Sequence, residues 1–195
     1  MFIRFLSAGI AVSCFLVSQA YANEIRLGVL QHDVEVSSLG GQKGKEASMS
    51  VSAEFVGQPI EALSFIRSPR PYVGGLLNVN DETSSANAGL SWRGKVTKRS
   101  FVDYAIGMAV HNGALIIPSP NNETDPEVIS NIVNRKANEI EFGSRFLIRN
   151  AFSIGYNLTE ETSVELVWEH MSNGAFFDDV NEGIDNIGIR YGRKF

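Results

Sequence analysis

Phe101-Val102-Asp103-Tyr104-Ala105-Ile106-Gly107-Met108-Ala109-Val110-His111-Asn112 alternates with a period of two. Val102, Tyr104, Ile106, Met108 and Val110 form an apolar face, while Asp103, Ala105, Gly107 and Ala109 form a face of small or charged residues. Successive side chains of a strand point to opposite sides. One side of this strand therefore meets an apolar medium and the other a crowded polar one. A narrow membrane barrel offers both, with lipid outside and a polar lumen within. A soluble sandwich has the same period, so the decision falls to the rest of the chain.

The same alternation marks Glu24 to Val29, Ser48 to Phe55, Pro71 to Val79 and Ala86 to Lys95. It returns in Val164 to Ser172 and in Asp185 to Phe195. Glu139 to Leu158 is less regular. Ile140, Phe142, Phe146 and Ile148 share one parity, with Glu139, Glu141, Arg145 and Arg149 on the other. Asn150-Ala151 reads equally as a tight turn, a bulge or a helical entry. Counting 139–158 as one strand gives eight, an even number that brings the C-terminus back to the side of the N-terminus. The expected fold is all-β: an eight-stranded antiparallel up-and-down transmembrane β-barrel, formed by residues 23–195 as one domain. Short connections at 96–100 and 158–162 suit the periplasmic end, and longer ones at 36–46, 113–138 and 173–183 the outer end. The long 57–69 connection does not fit this sorting. Gly40-Gly41-Gln42-Lys43-Gly44-Lys45 is a flexible loop without the sequence or strand-to-helix context of a phosphate-binding loop.

Met1-Phe2-Ile3-Arg4 is a short cationic start, followed by an apolar run from Phe5 to Val17 and a small-x-small site at Ala20-Tyr21-Ala22. This is a secretory signal peptide, residues 1–22, cut before Asn23. The run is short for an anchor helix, which needs about 20 apolar residues. Cys14, the single cysteine, leaves with it, since Ala11-Val12-Ser13 is a poor lipobox. The mature chain of 173 residues then has neither disulfide nor thiolate metal site. Loss of Arg4 leaves 16 basic against 22 acidic side chains, a net charge of −6. Nucleic acid, which needs a basic footprint, is excluded as a partner. The terminal Phe195, with Arg193, Tyr191, Ile189 and Ile187 at alternate positions before it, resembles an outer-membrane assembly signal.

Val164, Leu166, Trp168, His170 and Ser172 share one face of the seventh strand, with Glu165 and Glu169 on the other. In the eighth, Asp185 belongs with Ile187, Ile189, Tyr191 and Phe195, while Asn186, Gly188, Arg190, Gly192 and Lys194 point the other way. Two independent parities thus put His170, Ser172 and Asp185 on the lipid face. Inside, Glu165 and Glu169 can meet Arg190 and Lys194, as a polar lumen needs. Neighbouring strands are about 4.8 Å apart, so a carboxylate easily reaches an imidazole. A serine hydroxyl needs a base, and the base a third group to fix its tautomer. His170 is the candidate base, Ser172 the nucleophile and Asp185 the orienting acid. Asn181 is a candidate oxyanion donor, a role worth about 3 kcal/mol, and Asn173 a candidate helper. Glu182 is a rival acid in the loop. A polar cluster at the membrane interface is the competing reading. His32 and His111 have no Ser or acid in register and read as structural, and no His/Asp/Glu group has metal-ligand spacing.

His170-Met171-Ser172-Asn173 and Asn181-Glu182-Gly183-Ile184-Asp185, with Arg70-Pro71-Tyr72-Val73-Gly74-Gly75 and Gly143-Ser144-Arg145-Phe146, resemble the lipid A 3-O-deacylase family of eight-stranded outer-membrane serine esterases. The resemblance spans about 23–195. It implies a His170, Ser172, Asp185 triad with Asn181 at the oxyanion, no cofactor and no metal. It further implies lipid A of lipopolysaccharide as substrate, in outer-membrane lipid. The best-known members carry Glu where this chain has Asp185, and the loop between the motifs is about one residue longer here. Lipid A phosphates require cations, for which Lys43, Lys45, Arg135 and Lys136 in outer loops are candidates. The alternatives are a phospholipase using the same triad and a non-catalytic small barrel with an envelope-binding or structural role.

Overall fold

A computed structural model describes residues 23–35, 44–176 and 178–195. The expected signal segment 1–22, and Lys43, lie outside the described residues. Eight antiparallel strands close into a barrel in sequence order. They are β1 (Glu24–His32), β2 (Ser48–Val56), β3 (Arg70–Asn78), β4 (Ser85–Lys95), β5 (Ser100–His111), β6 (Phe146–Asn157), β7 (Thr162–Ser172) and β8 (Ile184–Lys194). β1 closes on β8 with Glu24 opposite Lys194, and the Phe195 N–H donates to the Asn23 carbonyl at 2.9 Å, so both ends of the barrel chain meet at one rim. Closure leaves no free edge to recruit another strand.

Alternation sets what each face touches. Leu27, Val29, Val51, Val73, Leu77, Ile154, Leu166 and Ile189 are exposed on the outer wall. The inner wall holds Arg26, Arg70, Arg93, Arg149 and Arg190 with Glu24, Glu54, Asp103, Glu165 and Glu169. Arg26 alone contacts Glu24 at 3.3 Å, Glu54 at 3.0 Å, Asp103 at 2.9 Å and Glu165 at 3.6 Å. The expected Glu165–Arg190 pair forms at 2.8 Å. Glu169 takes Arg149 at 2.8 Å and the Asn186 amide at 3.1 Å, and Lys194 turns instead to the Glu160 carbonyl. Buried charges of this kind are tolerated only when paired and hydrogen-bonded. Replacing Arg26 by Ala would take one cation from four carboxylates, each of which keeps another arginine, and is expected to cost about 3 kcal/mol, the lower end for a broken buried pair, readable as a lowered midpoint of urea unfolding in detergent. On the same inner wall Gly89 and Gly107 face each other, and the Tyr72 hydroxyl occupies the place of a side chain at 107.

Toward the opposite rim the lumen becomes apolar. Leu30, Leu76, Leu147, Val167, Met171 and Ile184 from the strands pack with Ile140 and Phe142 from the β5–β6 connection. This corrects the reading of 139–158 as one strand, since β6 begins only at Phe146 and Glu139–Arg145 crosses the mouth as a plug. Ile140 and Phe142 point into the barrel while Phe146 points out, so a continuous parity never existed. Asn150-Ala151 is plain strand. The same connection carries a helix, α1 (Pro126–Asn138), that period-two reading passed over. Its start was legible: Asp125 caps the Glu127 N–H at 2.9 Å, Pro126 takes the first turn, and Arg135 and Lys136 close the last. The 57–69 connection is long because it folds a short 3-10 helix, Glu61–Ile66, whose end is fastened by the Trp92 indole N–H donating to the Ile66 carbonyl at 2.7 Å.

Candidate active site on the outer wall

β7 and β8 put His170 and Asp185 directly opposite each other. The imidazole Nδ1 lies 3.1 Å from Asp185 Oδ1, and Nε2 lies 3.1 Å from Ser172 Oγ two residues along the same strand. A residue and its neighbour at two places share a strand face, so alternation alone puts hydroxyl and imidazole side by side. Asp185 needs no long side chain, because register already sets it beside the ring. Its carboxylate can only accept, which makes Nδ1 the donor and leaves Nε2 to accept the Ser172 hydroxyl proton. All three side chains stand on the apolar outer face, with Ser172 and His170 half-buried and Asp185 buried.

Trp168 covers the acid. Its indole N–H donates to the same Asp185 Oδ1 at 3.0 Å, and its ring lies near-parallel to the imidazole with centroids 6.3 Å apart. Sequence reasoning put Trp168 on this face without a role, because strand parity cannot tell where an indole N–H points. Asn150 was missed as well: in β6 it stands opposite His170, its side-chain oxygen accepting from the Tyr104 hydroxyl at 2.9 Å. A polar band thus crosses β5 to β8 on an otherwise apolar wall.

The loop after β7 presses against the cluster. Gly183 has φ +67°, and a Cβ there would sit 3.2 Å from the His170 ring and 3.3 Å from Ser172 Cβ, so only glycine suits both backbone and space. Asn181 Oδ1 accepts from the Asn173 N–H at 2.9 Å, which holds its amide with the NH2 end left to donate. Asn173 is fully buried and committed. Its NH2 donates to the Phe142 and Val180 carbonyls at 2.9 and 2.7 Å, and its oxygen accepts from the Ala175 N–H. It staples plug to loop and has no donor for an oxyanion, contrary to the expectation that it assists the site. Glu182, the rival acid, is held by Lys45 at 2.7 Å and by the Glu141 N–H at 2.8 Å.

The cation candidates have internal partners. Lys45 binds Glu182, Arg135 forms a forked pair with Glu139 at 2.8 Å, and Lys136 lies 3.0 Å from Glu141. Burial alone would raise the Glu141 carboxyl, but the Ile117 N–H and Lys136 hold it below its usual value. None of the three therefore stands as an unpaired phosphate clamp. A groove of about 530 Å³ over Val51, Ala53, Gly75, Leu77 and Ala86 lies on the wall opposite β7–β8, too far round the barrel to serve Ser172. Of the remaining histidines, His111 donates Nε2–H to the Ser144 carbonyl at 2.8 Å and packs on Phe142. His32 departs from expectation, with Ser50 Oγ 3.0 Å from Nδ1 and Glu46 3.6 Å from Nε2.

A closed barrel with a charge-paired lumen and an apolar outside defines a membrane β-barrel, and this one carries a Ser/His/Asp cluster on its outer wall. The family model described as lipid A 3-O-deacylase (PagL) matches residues 86–194. The chain belongs to the lipid A 3-O-deacylase family, and it is an outer-membrane β-barrel hydrolase. Among solved structures, the crystal structure of the outer membrane enzyme PagL is similar, at 12% identity and TM-score 0.57, covering 88% of this chain and 99% of that one. Neisserial surface protein A is similar at 10% identity and TM-score 0.50, covering 89% and 97%. At such identities both speak for the fold. No curated protein sequence matches the chain.

Proposed function

We propose that this barrel, once its 1–22 segment is cut, hydrolyses the ester that links a 3-hydroxyacyl chain to position 3 of lipid A, through Ser172, His170 and Asp185. The observation that carries the reading is the pair of 3.1 Å contacts through the two nitrogens of His170, on the lipid side of the wall. Ser172 Oγ attacks the ester carbonyl while its proton passes to His170 Nε2. Asp185 stabilises the imidazolium that results. The Asn181 NH2 and neighbouring backbone N–H groups receive the negative oxygen. Collapse breaks the bond to the sugar oxygen, which leaves as an alcohol with the proton from His170. Water, deprotonated by the same nitrogen, then cleaves the acyl-Ser172 ester and frees the hydroxy acid. The site lies toward the plug end of β7, the end of the longer, outer loops, where a lipid with its head group outside brings its acyl esters to the wall.

The test is purified barrel in detergent, offered lipid A and phospholipid separately. The expected product is lipid A lighter by one 3-hydroxyacyl group, together with the free acid, and intact phospholipid. Cleavage of phospholipid alone would turn the reading to a phospholipase, and cleavage of neither to a non-catalytic barrel. Within this reading Trp168 is a positioning residue. Trp168→Phe keeps the ring but removes one charge-assisted donor, worth about 1.5–3 kcal/mol. A fall in kcat of about tenfold or more with KM unchanged is expected, measured as initial rates of acid release.

A further inference from the structure

We propose a divalent metal site, of the Zn²⁺ class, formed by His32, Glu46 and Glu82 at the outer mouth of the barrel. It goes beyond the esterase reading and does not rest on it. One donor atom from each residue lies within 4.8 Å of the others. They come from the end of β1, from the segment before β2 and from the β3–β4 turn. No sequence spacing could reveal this, since closure of the barrel alone brings the three segments together.

The observation that points to a ligand is His32 itself. The ring is fully buried, and its Nε2 has no hydrogen-bond partner. That nitrogen faces Glu46 Oε2 at 3.6 Å, too long for a hydrogen bond. Two donors each about 2.1 Å from a tetrahedral ion stand about 3.4 Å apart, close to the spacing found. Ser50 Oγ, 3.0 Å from Nδ1, can accept the Nδ1 proton and leave the Nε2 lone pair toward the carboxylates. Bound metal sites hold their histidines by such outer partners.

The carboxylates are oriented in the same way. Glu46 accepts from the Thr83 N–H on Oε2 and from the Ile140 N–H on Oε1, both at 3.1 Å. Glu82 Oε2 accepts from the Ser48 hydroxyl at 2.8 Å, and Ser48 is held by the Asn78 amide at 2.7 Å. Among the described residues neither Glu46 nor Glu82 has a Lys or Arg ion-pair partner, while the neighbouring Asp33 carboxylate accepts from the Glu46 N–H at 2.8 Å. A divalent ion would neutralise this concentration of negative charge and tie three outer segments together. Through Ile140 it would also reach the plug.

The test uses the mature, tag-free barrel folded in detergent, equilibrated with Zn²⁺, freed of excess by gel filtration and analysed for metal. One equivalent is expected in the wild type and in His170→Ala, which excludes the imidazole of the outer wall as the binding group. His32→Gln and Glu82→Gln are each expected to weaken Zn²⁺ binding at least a hundredfold. Glu82 is only half-buried, so its variant gives an answer even where His32→Gln does not fold. A wild type that retains no Zn²⁺, leaving His32 and Glu46 as an ion pair only, would overturn the proposal. So would retention lost in His170→Ala, or unchanged in Glu82→Gln.

Discussion

Ser172→Ala is expected to lower lipid A deacylation by at least about 10⁴-fold while leaving the barrel folded. In the proposed mechanism the hydroxyl is the attacking atom, and members of a triad act as a unit, so loss of the nucleophile removes nearly all that the unit contributes. For the same reason His170→Ala, alone or with Ser172→Ala, is expected to fall to the same floor. Folding is spared because Ser172 stands half-buried on the outer wall, its hydroxyl bonded among the described residues to His170, and the change removes one oxygen. Two measurements decide it. Mass spectra of lipid A from cells making each protein report the reaction, and heat-modifiable gel mobility reports the closed barrel. A tenth of wild-type activity in a folded Ser172→Ala barrel would exclude Ser172 as nucleophile. A double variant clearly worse than either single would break the idea that the two residues form one unit.

What could be read from the sequence follows from how strands work. Parity is a local property, so Val102 to Val110, Val164 to Ser172 and Asp185 to Tyr191 announced their inner and outer faces without any tertiary knowledge. His170, Ser172 and Asp185 were found on one face because two such parities had to agree. The reading failed where an apolar residue two places from another was not in a strand. Ile140 and Phe142 mimic a strand, yet they fill the barrel mouth. Extended plugs and strands share the period, and only the partner distinguishes them. Helix α1 failed for a different cause, since Asp125-Pro126-Glu127 stood in plain view but was passed over within a loop.

Other features had no signal at all. Whether Lys45, Arg135 and Lys136 meet solvent phosphate or a neighbouring carboxylate depends on where Glu182, Glu139 and Glu141 end up, and the plug decides that. Asn173 and Asn181 are alike as sequence, but folding spends the side-chain amide of Asn173 on plug and loop together and holds Asn181 by its oxygen. The division of labour between them is a property of the plug, which rests on Asn173 and abuts Gly183 through Glu141 and Glu182.

The substitutions at Asp185 carry the second large effect. Asp185→Ala is expected to cost about 10⁴-fold in kcat, the scale on which a triad loses its acid. It also leaves the Trp168 N–H without its acceptor, at about 1–3 kcal/mol of stability. Asp185→Asn should behave differently from a triad in which the amide is free to rotate. There, an NH2 turned toward Nδ1 forces the wrong tautomer and costs about 10⁴-fold. Here Oδ1 accepts from both Trp168 Nε1 and His170 Nδ1. The indole can only donate, so it holds the asparagine oxygen in place, and Nδ1 keeps its acceptor. What remains is loss of the negative charge that stabilises the imidazolium, expected to cost about 10²-fold to 10³-fold, between a lost hydrogen bond and a lost tautomer. Removing the lock should expose the difference. In Asp185→Asn combined with Trp168→Phe the amide is released, and activity should drop to the Asp185→Ala level. Rates of acid release from the four proteins at one pH measure this. A double variant no worse than Asp185→Asn would show that the indole does not set the tautomer, and that Trp168 serves only as cover for a buried carboxylate.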